Sequence, residues 1–166
     1  ANSENYPTKQ LQTTISGPWI ASFQEKRGGP DAPVVFDTLI DWTKSLDNRI
    51  KYFSGTVTYK TTFIIKKRPQ GETYIDLGKV MVMAKVKLNG NDVGGVWTAP
   101  YSLNITKYLK MGKNLLEIEV VNDWMNRLIR DKSLPENEKI TWQTYSYYQS
   151  DSPLQTSGLL GPVEIQ

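Results

Sequence analysis

The sequence contains no cysteine and no histidine among its 166 residues. Without cysteine there is no disulfide framework and no thiolate zinc site, although this absence does not fix the compartment. Without histidine the chain cannot build a Ser-His-Asp or Cys-His nucleophile system, nor a metal site with imidazole ligands. Any chemistry of its own would therefore depend on carboxylates, Lys, Tyr or a hard cation held by oxygen atoms.

Long apolar runs and dense blocks of charge are also missing. No segment is apolar over the roughly 20 residues that a bilayer-spanning helix needs. The formal net charge is only +3, and the densest basic cluster, Lys66-Lys67-Arg68, precedes Pro69 and predicts a turn. A nucleic-acid-binding protein is expected to carry a basic stripe on one face, so the sequence does not indicate such a partner.

The first 14 residues, ANSENYPTKQLQTT, are polar and contain few apolar side chains. This composition predicts a flexible tail or linker, and it contains no secretory signal. The remaining residues, 15–166, are enough for a single domain and too few for two. Five Trp, nine Tyr and four Phe compensate for a hydrophobic fraction of 39% and predict an aromatic-rich core or surface.

Alternation of apolar and polar residues is the main pattern in the chain. Residues 80–88 place Val, Ala and Leu side chains on one face and Lys85 and Lys87 on the other, which predicts a half-buried antiparallel strand. Asn89-Gly90 predicts a tight hairpin after it. The strands predicted besides 80–88 cover residues 19–23, 34–36, 55–65, 74–77, 93–97, 115–121 and 160–165.

Helical patterns are weak by comparison. Short helical turns are predicted at 41–46 and 105–109, and an irregular turn at 123–129. Many short strands separated by Gly and Pro turns, with almost no helix, predict an antiparallel β-sandwich. Residues 130–159 show little periodicity, and loops of this length in a compact domain are usually functional or packed across a face.

Three segments of the chain resemble a known family. They are WTKSLDNRIKYFSGTVTYKTTF (42–63), YIDLGKVMVMAKVKLNGNDVGGVWTAPYSLNITKYLKMGKNLLEIEVVNDWMNRLIRD (74–131) and SGLLGPVEIQ (157–166). These segments resemble the sugar-binding modules of bacterial glycoside hydrolases, in particular those of the α-L-rhamnosidase-like and family 2-type enzymes. The resemblance extends over residues 15–166 and is carried by the spacing of Asn, Gly, Trp and Arg between Leu88 and Arg127.

The resemblance implies an all-β fold, a jelly-roll β-sandwich of the galactose-binding-domain-like type. It also implies a non-catalytic accessory module, with carbohydrate or glycan as its ligand and the catalytic domain of the same polypeptide as its neighbour. The catalytic barrel that accompanies such modules is absent from these 166 residues. The implied location is periplasmic or extracellular. The alternative is a purely structural interdomain module that supports the catalytic domain without binding a ligand itself.

A sugar site needs a flat aromatic surface for the C–H faces of the ring and planar amide, carboxylate or guanidinium groups for its hydroxyls. Several such side chains follow or interrupt the predicted strands, where loops carry ligand sites. We predict ligand-binding roles for Trp97, Tyr101, Trp124, Asn126, Arg127 and Trp142. Further side chains of the same kind are Asn122, Asp131, Tyr145, Tyr147 and Tyr148.

Each of these residues also has a structural alternative. Trp124 could close one end of the sandwich, and Asn122 and Asn126 could satisfy backbone groups at a corner of the chain. Arg127 could pair with Asp123 or Asp131, each four positions away, if the segment is helical. The aromatic residues in 142–148 could fold back onto the sheet or form an interdomain contact.

Paired carboxylates are the remaining route to catalysis, because glycosidases act through two of them. Asp37, Asp41 and Asp47 lie close in the sequence, and Glu117 and Glu119 share one strand face, about 7 Å apart. An alternating solvent face explains the two glutamates more simply, so we expect no catalytic residue and no activity from the isolated chain. A structural Ca²⁺ could be held by aspartates, but no ligand spacing supports one, and no cofactor or metal ligand is predicted.

Overall fold

The computed structural model of the chain describes residues 11–166. In that part, the strands are β1 (Thr13–Thr14), β2 (Trp19–Phe23), β3 (Val34–Phe36), β4 (Thr56–Ile65), β5 (Tyr74–Asp76), β6 (Lys79–Met81), β7 (Met83–Leu88), β8 (Asn91–Val96), β9 (Ser102–Asn104), β10 (Gly112–Val121), β11 (Gly158–Gly161) and β12 (Glu164–Ile165). The α-helices are α1 (Asn48–Lys51) and α2 (Met125–Lys132), and 3-10 turns cover Trp42–Lys44 and Glu136–Glu138.

The larger sheet has six antiparallel strands in the order β3-β2-β4-β10-β7-β8. Its central strands, β4 and β10, are each ten residues long and pair along their whole length. In β10 the side chains of Leu116, Ile118 and Val120 are fully buried, whereas Glu117 and Glu119 lie on the opposite face. The alternation in the sequence therefore predicts both the strand and its buried face correctly.

The outer face of this sheet carries opposite charges on neighbouring strands. The ammonium–carboxylate pairs are Lys60–Glu117 at 2.9 Å, Lys85–Asp92 at 2.7 Å and Lys87–Glu119 at 3.9 Å. The hydrogen bond from Lys85 lowers the pKa of the Asp92 carboxyl. Cross-strand pairs of this kind contribute modestly to stability, and here they neutralise the lysines of the face.

Shorter strands form a second sheet in the order β1-β12-β5-β9, and β6 pairs separately with β11. Ile75 of β5 and Ile165 of β12 are fully buried in the same hydrophobic core as the inner face of the larger sheet. The sheets therefore enclose one core, which confirms the predicted all-β sandwich. The jelly-roll order of the strands stays a prediction.

Aromatic side chains fill much of this core. Trp19, Trp42, Phe53 and Tyr59 are among the largest fully buried residues. The Trp42 Nε1–H donates a hydrogen bond of 2.6 Å to the Tyr59 hydroxyl, and burial raises the pKa of that hydroxyl. Phe23 and Phe53 meet edge to face, with ring centroids 4.9 Å apart. The aromatic-rich core expected from the composition is present.

Residues 80–88 do not form one strand, which corrects the expectation from their alternation. The run divides at Val82 into β6 and β7, and Val82 is 42% exposed although the pattern places it inside. The two halves have different partners, because β6 pairs with β11 whereas β7 pairs with β10 and β8. The chain changes sheets at Val82, so this side chain does not follow Val80 and Ala84 into the core.

The hairpin predicted at Asn89-Gly90 joins β7 and β8. Asn89 and Gly90 have φ of +53° and +81°, as a type I′ turn requires. The returning strand begins at Asn91, and Trp97, which the prediction included, lies just beyond its end.

Residues 123–129 form more than the irregular turn expected. Helix α2 runs from Met125 to Lys132, and its buried residues include Asn126, Arg127 and Asp131. Because polar side chains cover the inner face of this helix, apolar periodicity could not reveal it. None of the helices in residues 11–166 is long and apolar enough to cross a membrane.

The predicted tail, residues 1–14, is only partly described. Residues 1–10 lie outside the described residues. Thr13 and Thr14 form β1 and pair with Ile165 and Glu164 of β12, and the Gln12 N–H donates to the Ile165 carbonyl at 2.8 Å. A strand of two residues has no alternation to detect, so the sequence does not distinguish it from a linker.

Candidate functional site

Several loops leave the larger sheet at the same end. Val121, the last residue of β10, pairs with Met83, the first residue of β7. β8 also ends there, because Val96 pairs with Ala84. The segments after β8 and β10 therefore emerge together, and most of the predicted site residues lie on them.

Asn122, directly after β10, closes the corner at this end. Its Oδ1 accepts a hydrogen bond from the Gly55 N–H at 2.9 Å. Its Nδ2 donates to the Phe53 carbonyl at 2.8 Å and to Ser157 Oγ at 3.2 Å. The buried amide group thus joins three segments that are distant in sequence, which is the structural alternative considered for this residue.

Asn126 is fully buried on α2. Its Nδ2 donates to the Gln155 carbonyl at 2.7 Å and to Ser157 Oγ at 3.1 Å, and its Oδ1 accepts from the Gln155 N–H at 2.8 Å. Both amide hydrogens are therefore used within the chain. The structure places Asn126 beneath the surface, where it fastens residues 155–157 to the helix.

Arg127 and Asp131 form a buried ion pair across one turn of α2. Arg127 Nη2 lies 2.8 Å from Asp131 Oδ1, and the two side chains are 8% and 2% exposed. Asp131 Oδ2 accepts hydrogen bonds from the Ile140 N–H at 3.0 Å and from the Thr141 N–H and Oγ1, both at 2.7 Å. The pair therefore holds residues 140–141 against the helix, and with them the start of the aromatic segment.

Large aromatic side chains remain exposed at this end. The exposed fractions are 70% for Trp97, 83% for Trp142, 70% for Tyr145 and 84% for Tyr147. Together with Trp124 we call these residues the aromatic rim. Tyr145 and Tyr147 meet edge to face, with centroids 4.9 Å apart. Isolated apolar residues are common on surfaces, whereas contiguous apolar patches often mark interaction sites in proteins.

Trp124 differs from the other residues of the aromatic rim. It is 39% exposed, and the guanidinium carbon of Arg27 lies 4.8 Å from its ring centroid. A cation on the ring face occupies the surface on which a sugar would stack. Tyr101, also predicted as a ligand residue, is half-buried against the core, and its carbonyl accepts from the Leu77 N–H at 2.9 Å.

A pocket of about 230 Å³ opens beside Trp142. Trp142 is its one aromatic wall, and the other lining groups are hydroxyl, amide, ammonium and carboxylate side chains. Lys139 Nζ lies 2.6 Å from Glu136 Oε2 at the edge. The lining residues are Asp131, Lys132, Glu136, Lys139, Thr141, Trp142, Gln143, Thr144 and Ser146. Of the six predicted ligand residues, Trp142 alone lines this pocket.

Comparison with known proteins identifies the family. The family model described as "Glycosyl hydrolase 2 galactose-binding domain-like" matches residues 42–154, more than half of the chain. The chain belongs to this family. The module therefore corresponds to a galactose-binding-like domain of glycoside hydrolases and not to their catalytic domain.

Larger proteins contain regions similar to the module. The structure of a rhamnosidase from Novosphingobium sp. PP1Y matches with a TM-score of 0.90 and 40% identity, over 99% of this chain and 16% of that one. A protein of Formosa agariphila named "Putative beta-glucuronidase" is 37% identical over 158 residues, covering 80% of this chain and 14% of that protein. The module thus spans about one seventh of this curated relative's length.

A more distant structure shows the same fold. The β-D-glucuronidase of Dictyoglomus thermophilum matches with a TM-score of 0.65 and 23% identity, over 96% of this chain and 29% of that one. At this identity the likeness concerns the fold alone.

Four of the five acidic residues considered from the sequence for catalysis make structural contacts. Glu117 and Glu119 lie on the open sheet face, each beside a lysine. Asp41 and Asp47 accept hydrogen bonds from backbone N–H groups at the starts of the first 3-10 turn and of α1. Within residues 11–166 no group of three or more acidic side chains is arranged to hold a metal ion.

Two residues that shape this end of the module are not among those predicted. Arg27 covers the ring of Trp124, and Ser157 Oγ accepts hydrogen bonds from both Asn122 and Asn126. Arg27 lies in an aperiodic polar loop, so no local signal in the sequence indicates its partner. Ser157 begins the SGLLGPV segment, which the resemblance includes without giving the serine a role.

Proposed function

We propose that the module is a non-catalytic part of a secreted glycoside hydrolase and that it binds a carbohydrate chain in the pocket beside Trp142. One observation carries the proposal: an indole that is 83% exposed forms one wall of a 230 Å³ pocket whose other walls are polar. Small ligands are bound by concave sites that combine an apolar surface with a few polar groups.

The chemistry of the pocket fits a sugar ring. The Trp142 ring offers a flat surface for axial C–H groups, and Thr141, Gln143 and Thr144 offer hydroxyl and amide groups for sugar hydroxyls. One side of the pocket is held, because Asp131 anchors the backbone of residues 140 and 141, next to Trp142. A wall that is ordered before binding lowers the entropic cost of association.

The relatives support the context of this proposal. Both the rhamnosidase of Novosphingobium and the relative of Formosa agariphila are named as enzymes that act on glycosides, and both are several times longer than this module. The catalytic domain is accordingly expected in the same polypeptide, in the periplasm or outside the cell. The module would then hold glycan close to that domain.

Calorimetric titration of the 166-residue chain tests the binding function. The ligands are rhamnose-, galactose- and glucuronic acid-containing oligosaccharides. Trp142→Ala is expected to weaken binding at least tenfold, about 1.4 kcal/mol, because the stacking surface is lost. Trp97→Ala is the matched control, since Trp97 is comparably exposed but does not line the pocket. Absence of heat with every ligand, or equal losses in the two variants, would refute this function.

A second candidate function is contact between the module and the rest of its polypeptide. Tyr147 is 84% and Tyr145 70% exposed, and neither lines the pocket, so the aromatic surface extends beyond what one sugar needs. If this surface packs on another domain, Tyr145→Ala/Tyr147→Ala lowers the thermal midpoint of the full-length enzyme and leaves that of the 166-residue chain unchanged. Equal midpoint shifts in both proteins would exclude the interdomain contact.

A further inference from the structure

The end of the sandwich opposite the aromatic rim is formed by two turns. Residues 65–73 begin at the last residue of β4, and residues 105–113 end two residues into β10. Ile65 and Gly112 lie opposite each other in the sheet, and the Thr73 N–H donates to Thr106 Oγ1 at 2.8 Å. The two turns therefore lie side by side and present one surface, which we call the basic end.

The basic end has a strong excess of positive charge. Its two turns contain six cations and a single acidic residue, Glu72, whereas the whole chain has a net charge of only +3. The rest of the chain is therefore net negative by two charges. All six cations are exposed, and among residues 11–166 none of them has a carboxylate within salt-bridge distance. They are Lys66, Lys67, Arg68, Lys107, Lys110 and Lys113.

The lysines of the open sheet face behave differently. Lys60, Lys85 and Lys87 each lie within 4 Å of a carboxylate on a neighbouring strand, at 2.9, 2.7 and 3.9 Å. The lysines of the sheet face thus have carboxylate partners, whereas the cations of the basic end have none among the described residues. Concentrated like charge without counter-charge costs stability through repulsion and is typical of a surface that attracts an oppositely charged partner.

A pocket of about 420 Å³ opens between the two basic turns. Arg68 and Lys110 lie at its wall, and Ile65, Leu109 and Met111 supply an apolar surface. A guanidinium group matches a carboxylate with two parallel hydrogen bonds, and an ammonium group adds a second positive charge. Charged and apolar groups thus meet in one concave site.

We propose that the basic end binds a polysaccharide that carries carboxylate groups along its length, with one acidic sugar in the pocket and its neighbours on the surrounding lysines. The pocket lining contains no aromatic ring. Single-stranded nucleic acid is bound by aromatic platforms in a basic groove, and duplex DNA is read by a helix or ribbon that enters a groove. Aliphatic walls with guanidinium and ammonium groups suit the C–H faces and the carboxylate of an acidic sugar better.

The test is calorimetric titration of the 166-residue chain with polygalacturonate, and with its fully methyl-esterified form as the uncharged counterpart. Binding to polygalacturonate alone is expected, and it should weaken as salt rises, because exposed charges are screened over about 10 Å at 0.1 M ionic strength. The variant Arg68→Gln/Lys110→Gln should bind about tenfold more weakly, which is 1.4 kcal/mol.

The matched control is Lys44→Gln/Lys79→Gln, which removes the same charge from exposed positions outside the two turns. This control should bind polygalacturonate with the affinity of the parent chain. Trp142→Ala should also bind with that affinity, which would show that polygalacturonate binding does not depend on the proposed sugar site at the other end. Equal losses in the two double variants would overturn the proposal, since net charge alone would then explain binding. Equal affinity for the methyl ester, or for a single-stranded oligonucleotide of similar charge, would also overturn it.

Discussion

Replacing Asp131 by alanine is expected to destabilise the module more than any other change to a single charged side chain of α2. The substitution leaves the Arg127 guanidinium, 8% exposed, without its carboxylate 2.8 Å away. Removing one partner of a buried ion pair typically costs about 3–5 kcal/mol. The hydrogen bonds to Ile140 and Thr141 are lost as well. Because a domain is stable by only about 5–15 kcal/mol, the expected loss of about 4 kcal/mol is a large part of the total.

Urea unfolding followed by tryptophan fluorescence measures this loss. The control is Glu136→Ala, which removes a carboxylate whose side chain is 81% exposed and which pairs with Lys139 three residues away, so a loss below about 1 kcal/mol is expected. Arg127→Ala/Asp131→Ala should be less destabilised than the sum of its two single variants, since the double variant buries no unpaired charge. A loss below about 1 kcal/mol for Asp131→Ala would show that the pair does not hold the loop, and the preorganised pocket would lose its basis.

Two further predictions concern the core. Gly158 has φ of +108°, and a Cβ there would come within 2.5 Å of Trp42 Nε1, so Gly158→Ala should cost at least about 2–3 kcal/mol in urea unfolding. Gly71→Ala, at φ +91° with open space around it, should cost about 1 kcal/mol, and equal losses would contradict the steric explanation. Burial raises the pKa of Tyr59 above the ordinary 10.0, so its contribution to stability is complete below pH 10 and is lost as the pH rises further. Tyr59→Phe should lower the free energy of unfolding at neutral pH by about 1–3 kcal/mol, because the Trp42 indole N–H loses its partner. The variant should also lose less stability than the parent chain as the pH rises above about 10. An unchanged loss above pH 10 would show that Tyr59 is not the group that titrates.

Local pattern and turn chemistry predict the framework of the module well. Residues 115–121 of β10 are evident because apolar core residues alternate there with residues that suit solvent, whereas its first three residues are not predicted. The β7–β8 hairpin is evident because Asn89-Gly90 suits the positive φ of its turn. Both the alternation and the Asn89-Gly90 turn are local patterns, because the residues that carry them lie within the elements that they predict.

The features that the sequence leaves open depend on distant partners. The break at Val82 arises because β6 and β7 join different sheets, one of them through β11, which comes more than 75 residues later. The role of Asn126 is decided by Gln155 and Ser157, about 30 residues further along the chain. An exposed amide on a rim and a buried amide that fastens a loop have the same local sequence, so only tertiary structure separates the ligand hypothesis from the structural one.

The length of the central strands has a consequence for how the module could be used. β4 and β10 each have ten residues, and at about 3.3 Å per residue they separate the aromatic rim from the basic end by roughly 30 Å. A monosaccharide or disaccharide is too short to touch both. Only an extended polymer, or two different molecules, could engage the two ends together, and the stiff paired strands would then act as a spacer that sets the distance between them.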